Sequence, residues 1–221
     1  MFVSHRCRFI LFPDPLGACP WLGRALQPWL DQPIMDKRGT AADAFFFSEM
    51  SPAEAELAFD MAGYAFRSYT RIAIIQNPLN RMVNLYDRIS ARDKVWRMRR
   101  GMGAGDPPFS RWLSGTRPNG PGAAPFGGPR WRRFGAWSGA HWCRDYISHV
   151  VRAECAKEEL TDIFGDIGIA PALGGRADDG SRLKRSVEAF YDEQAQELMS
   201  ARYAWDLRFY RQPRYDLRLV A

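Results

Sequence analysis

The chain is short of several things, and each shortage removes a class of function. No run of 18 apolar residues occurs, so no membrane-spanning helix is expected. The apolar stretch before Pro13 is too brief for a secretory signal. There are four cysteines, Cys7, Cys19, Cys143 and Cys155, and none forms a C-x-x-C pair. Scattered reduced thiols and a cytoplasmic location are therefore expected. Histidine is scarce, with three in the chain, and His141 and His149 do not stand with Cys143 at metal-ligand spacing, so no metal centre is expected. No G-x-x-x-x-G-K-S/T loop is present, which leaves an ordinary nucleoside triphosphatase without support.

Acidic residues are missing from one region in particular. Between Arg88 and Arg133 stand eleven Lys and Arg against Asp93 and Asp106 alone, a local charge of +9 in a chain of net +6. The rest of the chain thus carries −3, and the basic stretch 88–133 implies an anionic or protein partner. No nucleic-acid-binding motif accompanies it, so nucleic acid is not the expected partner. Residues 101–129 hold 8 Gly and 6 Pro, a density at which no regular element is expected. Trp112, Phe126, Trp131, Phe134, Trp137 and Trp142 lie in or beside it among arginines. The reading is a Gly/Pro/Arg/Trp-rich insertion, 101–142, within a single domain spanning 1–221.

What is present alternates between short apolar runs and helical patterns. Phe9–Phe12, Asp43–Phe47, Thr70–Ile75 and Tyr146–Glu154 read as strands. Ser51-Pro52-Ala53-Glu54 reads as a capping box with proline at the first helical position. The helix beginning at Pro78 reads on toward Arg100, and Cys155–Ile167 reads as a helix ended by Gly168. Ser186–Met199 reads as an amphipathic helix, with a further one from Tyr203. This order predicts an α/β three-layer sandwich, with a short, mainly parallel sheet flanked by helices and ligand at the strands' carboxyl ends.

The centre of the pattern is Arg71–Tyr86, a buried strand that runs directly into Asn77-Pro78 and a helix N-terminus. Asn77, Pro78, Arg81, Val83 and Tyr86 resemble the strand–loop–helix of the sulfotransferase family, Val-Arg-Asn-Pro-x-x-Arg-x-Val-Ser-x-Tyr. In that P-loop-like family the first Arg and the Ser hold the 3′-phosphate of the donor, 3′-phosphoadenosine 5′-phosphosulfate (PAPS). Gln76 and Asn84 stand at those two places here. The family's first strand leads into Pro-Lys-(Thr/Ala)-Gly-(Gly/Ser)-Thr-(Ser/Thr), a loop around the 5′-phosphosulfate. Pro13 and Gly17 match it, with Asp14 in place of the Lys and with Ala18 and Cys19 completing the loop. Glu49 falls where the family places its catalytic base. Val151-Arg152-Ala153-Glu154 and Tyr203…Asp206…Phe209 resemble the family's later strand and C-terminal helix.

The resemblance implies PAPS as cofactor and transfer of a sulfuryl group to a hydroxyl or amine acceptor, an anionic small molecule or a glycan. Glu49 would be the base, with Pro13, Gly17, Ala18, Cys19, Gln76, Arg81 and Asn84 around the donor. The exchanges at Asp14, Gln76 and Asn84 keep a second reading open. In it the scaffold has lost donor chemistry and serves as a binding or assembly component through its basic insertion.

Overall fold

A computed structural model describes residues 1–14, 16–34, 46, 50–92, 94–116, 139–143, 145–174 and 186–211. The strand expected over 43–47 lies outside these residues apart from Phe46, as do Glu49 and most of the 101–142 insertion. Four strands form one sheet in the order β1 (Phe2–Ser4), β2 (Phe9–Phe12), β3 (Thr70–Ile75), β4 (His149–Arg152). β1 pairs antiparallel with β2, while β2–β3 and β3–β4 are parallel. The fold is thus α/β, with a mixed and mostly parallel sheet flanked by helices. β1 goes beyond the sequence reading: three residues are too few for a period to show, and its pairing with β2 supplies the element.

The chain groups into two compact units. The first comprises Met1–Gln76, Trp142–Asp178 and Gln212–Ala221, the second Asn77–His141 and Asp179–Arg211. In the first, Phe9 and Leu11 of β2, Ile72 and Ile74 of β3 and Val151 of β4 share one apolar cluster. Onto it pack Leu22 and Leu26 of α1 (Leu22–Leu26), and Leu160 and Phe164 of α7 (Ala156–Asp166). Ile10, Phe12 and Ala73, on the alternate positions, are buried too, as strands of a parallel sheet covered on both faces require. Gly168, at φ +75°, ends α7 in the left-handed conformation that glycine adopts without penalty. Phe59, which meets several aromatic rings, lies on α2 (Pro52–Met61), whose capping box forms as expected. Ser51 Oγ accepts from Glu54 N–H, and Glu54 Oε2 accepts from Ser51 N–H at 2.8 Å.

The second unit departs from the sequence reading in three places. The helix expected from Pro78 toward Arg100 comes as two, α3 (Pro78–Arg92) and α4 (Lys94–Gly101). The Gly- and Pro-dense stretch is not without regular structure: α5 (Phe109–Ser114) forms inside it. Its prolines, Pro107 and Pro108, sit just before the helix, where proline interrupts nothing, and Phe109 and Leu113 bury their side chains. Arg202 then closes its far end, donating from Nη1 to the carbonyls of Leu113, Ser114 and Thr116 at 3.1, 2.6 and 2.9 Å. The helix expected over 186–199 is a single tight turn, Val187–Phe190, followed by α8 (Glu193–Arg202). Asp192 makes the break, since its side chain caps α8 by accepting from Ala195 N–H at 2.8 Å. Asp206 of α9 (Ala204–Arg211) is buried and accepts the N–H groups of Gly139 and Ala140, which begin α6 (Gly139–Cys143).

Charge-assisted bonds from one side chain to three carbonyls hold α5 in place, so Arg202→Ala is expected to loosen that helix selectively. Amide hydrogen exchange over 109–114 should speed up by roughly tenfold or more, the effect of losing about 1.5–3 kcal/mol. Unchanged exchange there would show that α5 stands on its apolar contacts alone.

Candidate functional site

In the first unit the parallel register brings three strand ends to one edge. Phe12 lies opposite Ala73, and Ile75 opposite Arg152. The loop Pro13–Cys19, Gln76 and the turn Ala153–Cys155 therefore all leave the sheet at its carboxyl edge, where open α/β sheets bind ligands. The sequence reading of Asp14, Gly17, Ala18, Cys19 and Gln76 thus falls at one edge of one sheet.

The loop after β2 is closed on itself. Asp14 Oδ2 accepts the N–H of Leu16 at 2.8 Å, and the Asp14 carbonyl accepts the N–H of Gly17, also at 2.8 Å. Asp-Pro-Leu-Gly carries the residue preferences of a tight turn: an acceptor side chain first, proline second, glycine last. Gly17 has φ +77°, which a side chain would strain. Asp14 is only 5% exposed, so its carboxylate sits in the turn as a fixed part of the loop. Leu16 is buried as well, and its side chain replaces the open approach that a small residue would give.

Cys19 lies beneath this turn, with its thiol 3.9 Å from the Ala153 carbonyl. Burial, and then the negative charges of Asp14 and Glu154, push that thiol from its ordinary 9.0 up to about 12. The edge is thus acidic in character, and Cys19 is a protonated, packed side chain there. Arg152 does not relieve it. Its backbone N–H and guanidinium are all engaged by Glu159 of α7, at 2.8, 2.9 and 2.7 Å. Glu159 had no mark in the sequence beyond its place seven residues after Arg152. Arg24 of α1 is exposed. Gln76 is 6% exposed, and its Oε1 has no hydrogen-bond partner among the described residues.

Arg81 and Asn84 belong to the second unit, on α3, three residues apart and so on one face of the helix. Asn77 caps that helix, accepting the N–H of Leu79 at 2.9 Å. Arg81 is buried and Asn84 half-buried. Tyr191 donates its hydroxyl to the Leu79 carbonyl at 2.9 Å, and Tyr203 donates to Thr116 Oγ1 at 3.1 Å. Burial raises both phenols, that of Tyr191 strongly, while the Arg81 guanidinium nearby acts in the opposite sense. Both hydroxyls serve as hydrogen-bond donors in this packing. Tyr203 carries part of the resemblance to the C-terminal helix, and the structure adds that it and Tyr191 lie near the Arg81 charge.

Among the described residues, no three His, Cys, Asp or Glu side chains gather closely enough to hold a metal ion. Nor is any described helix long and apolar enough to cross a membrane. No protein-family model, curated protein or solved structure matches the chain.

The Cys19 thiol makes the edge's acidity measurable. An unfolded chain ionises this thiol from about pH 9, whereas the folded chain keeps its proton toward about 12. Folding stability from this group is therefore complete below pH 9 and declines as pH rises across that window. In alkylation followed by peptide mapping, native Cys19 should stay unlabelled at pH 9 while Cys7 and Cys155, both partly exposed, react. Asp14→Asn should lower the pH at which Cys19 begins to react. Labelling of native Cys19 as fast as Cys7 at pH 9 would contradict the assignment.

Proposed function

We propose that this chain is a sulfotransferase-like scaffold that has given up donor chemistry and works as a binding or assembly component, holding its partner through the basic stretch 88–133. The observation that carries this reading is the self-closed turn at Asp14. In a phosphate-binding loop the backbone N–H groups point at the ligand. Here the N–H groups of Leu16 and Gly17 are taken by the carboxylate and carbonyl of one aspartate. The anion that the loop would bind is, in effect, built into the chain.

Charge then argues the same way. Two unit charges 4 Å apart interact by roughly 4 kcal/mol at an effective dielectric near 20. A lysine at this place would attract a departing sulfate by that much, and Asp14 opposes it by a similar amount. Gln76 and Asn84 are neutral where the resemblance calls for an arginine and a hydroxyl. Arg152, the nearest arginine in sequence to the β4 end of the edge, is committed to Glu159. Arg81 remains a cation on α3, but a single charge does not replace several lost grips.

The basic stretch supports the positive half of the proposal. On α4, Lys94, Arg97 and Arg99 are exposed, and the helix carries no acidic residue. An anionic or acidic partner meets them without competition from neighbouring carboxylates on the same helix.

Isothermal titration with adenosine 3′,5′-bisphosphate, the spent donor, tests the reading. Heats indistinguishable from buffer dilution are expected. Saturable binding of micromolar strength would overturn it and restore the donor-using enzyme, with Glu49 as base. Deleting 101–129 is not a suitable control, because that segment contains α5 and its buried Phe109 and Leu113.

A further inference from the structure

The described surface exposes seven large apolar side chains: Leu57, Met61, Tyr64, Val95, Met98, Met102 and Trp205. Five of them form two strips. Leu57 and Met61 are 66% and 74% exposed, one turn apart on α2. Val95, Met98 and Met102 are 59%, 60% and 67% exposed, at i, i+3, i+7 on α4 and the residue that follows it. Large apolar side chains open to water in contiguous strips mark contact surfaces more often than isolated ones do.

Each strip is presented by a helix anchored on its other side. On α2, Ala55, Ala58 and Phe59 are buried. On α4, the Trp96 ring meets Tyr86 edge-on at 5.3 Å. Arg100 donates to the Ser90 carbonyl at 2.7 Å and to Asp106 at 2.9 Å. Because Trp96 and Arg100 face inward, the 3.6-residue period turns Val95, Met98 and Met102 outward, with Lys94 and Arg99 on their flanks.

The two strips carry opposite charge. The α2 helix has Glu54, Glu56 and Asp60 and no basic residue, with exposed Asp60 lying between Leu57 and Met61. The α4 helix has Lys94, Arg97, Arg99 and Arg100 and no acidic one. Glu54 is used in the capping box and Glu56 pairs with Arg67, so Asp60 is the acid that the apolar strip itself presents.

We infer that the occupant of the α4 strip is the α2 strip of a second copy of this chain. The inference rests on the reading of the chain as an assembly component, and it names the partner. Leu57 and Met61 of one copy would pack against Val95, Met98 and Met102 of the next, with Asp60 opposite Lys94 and Arg99. What selects a second copy over a lipid surface is that this chain itself carries the complement, acidic where α4 is basic and apolar at matching helical spacing. An anionic bilayer would leave the α2 strip uncovered and would repel its acids. Two copies can make this contact reciprocally across a twofold axis, or it can run from copy to copy into a ring or a chain. Two helices of this length bury an area at the low end of specific interfaces, so the association is concentration-dependent, and its charged part weakens with salt.

Sedimentation velocity on the full chain, over a concentration series at low and high salt, tests this. The weight-average sedimentation coefficient should rise with concentration, and less steeply in high salt. Asp60→Arg and Arg99→Asp should each move the association midpoint to roughly fivefold higher concentration or beyond, as expected when an attractive exposed pair becomes repulsive. The double variant should return close to the starting protein, and Met98→Ser should weaken association with no change of charge. Far-UV circular dichroism matched to the parent confirms that each variant is folded. A monomer at every concentration would overturn the inference. So would association that Asp60→Arg leaves unchanged, or vesicles of phosphatidylserine and phosphatidylcholine binding through Arg99 while Asp60→Arg has no effect. Adenosine 3′,5′-bisphosphate titrated into the same samples separates the two claims. Its binding would remove the proposed function, whereas a monomer that ignores the nucleotide would remove only this partner.

Discussion

One aspartate fixes the character of the carboxyl edge of the sheet. Asp14 accepts the Leu16 and Gly17 N–H groups with its side chain and its carbonyl, and it is buried while doing so. A carboxylate removed from water is tolerable only when it is hydrogen-bonded, and the turn supplies that bond. The same bonds occupy the N–H groups of Leu16 and Gly17.

Other groups on that edge are turned inward in the same way. Arg152 gives its guanidinium and its backbone N–H to Glu159, which ties the end of β4 to α7. Cys19 keeps its proton because burial and two nearby carboxylates oppose a thiolate. Gln76 is buried and neutral. The edge keeps the topology of a ligand-binding site in an α/β sheet while its polar groups serve the fold. Exposed basic side chains stand on α4, a helix that Trp96 and Arg100 hold from behind.

Much of this architecture was legible in the residues, for identifiable reasons. Ile72–Ile75 is an unbroken apolar run followed by a helix-capping Asn77-Pro78, and the strand Thr70–Ile75 forms around it. The capping box at Ser51 and the glycine stop at Gly168 depend on local chemistry, so sequence alone suffices for them. The misses share a cause too. The α5 helix is held by Arg202 and by burial of Phe109 and Leu113, and neither shows in a count of glycines and prolines. The break before α8 follows from Asp192 acting as a cap, which outweighs the amphipathic period that runs through it. At the candidate site, the acidic Asp14 and the turn preferences of Asp-Pro-Leu-Gly were visible. That Asp14 would be buried was not, because the burial of a carboxylate depends on neighbours far along the chain.

The account is most directly tested at the two amides that Asp14 occupies. In an isotope-labelled sample, the Leu16 and Gly17 N–H resonances can be followed while adenosine 3′,5′-bisphosphate is added to millimolar concentration. The account predicts that both stay in place and remain protected from solvent exchange. A saturable shift of either resonance, with loss of its bond to Asp14, would show that the loop opens to take an anion and would contradict the account.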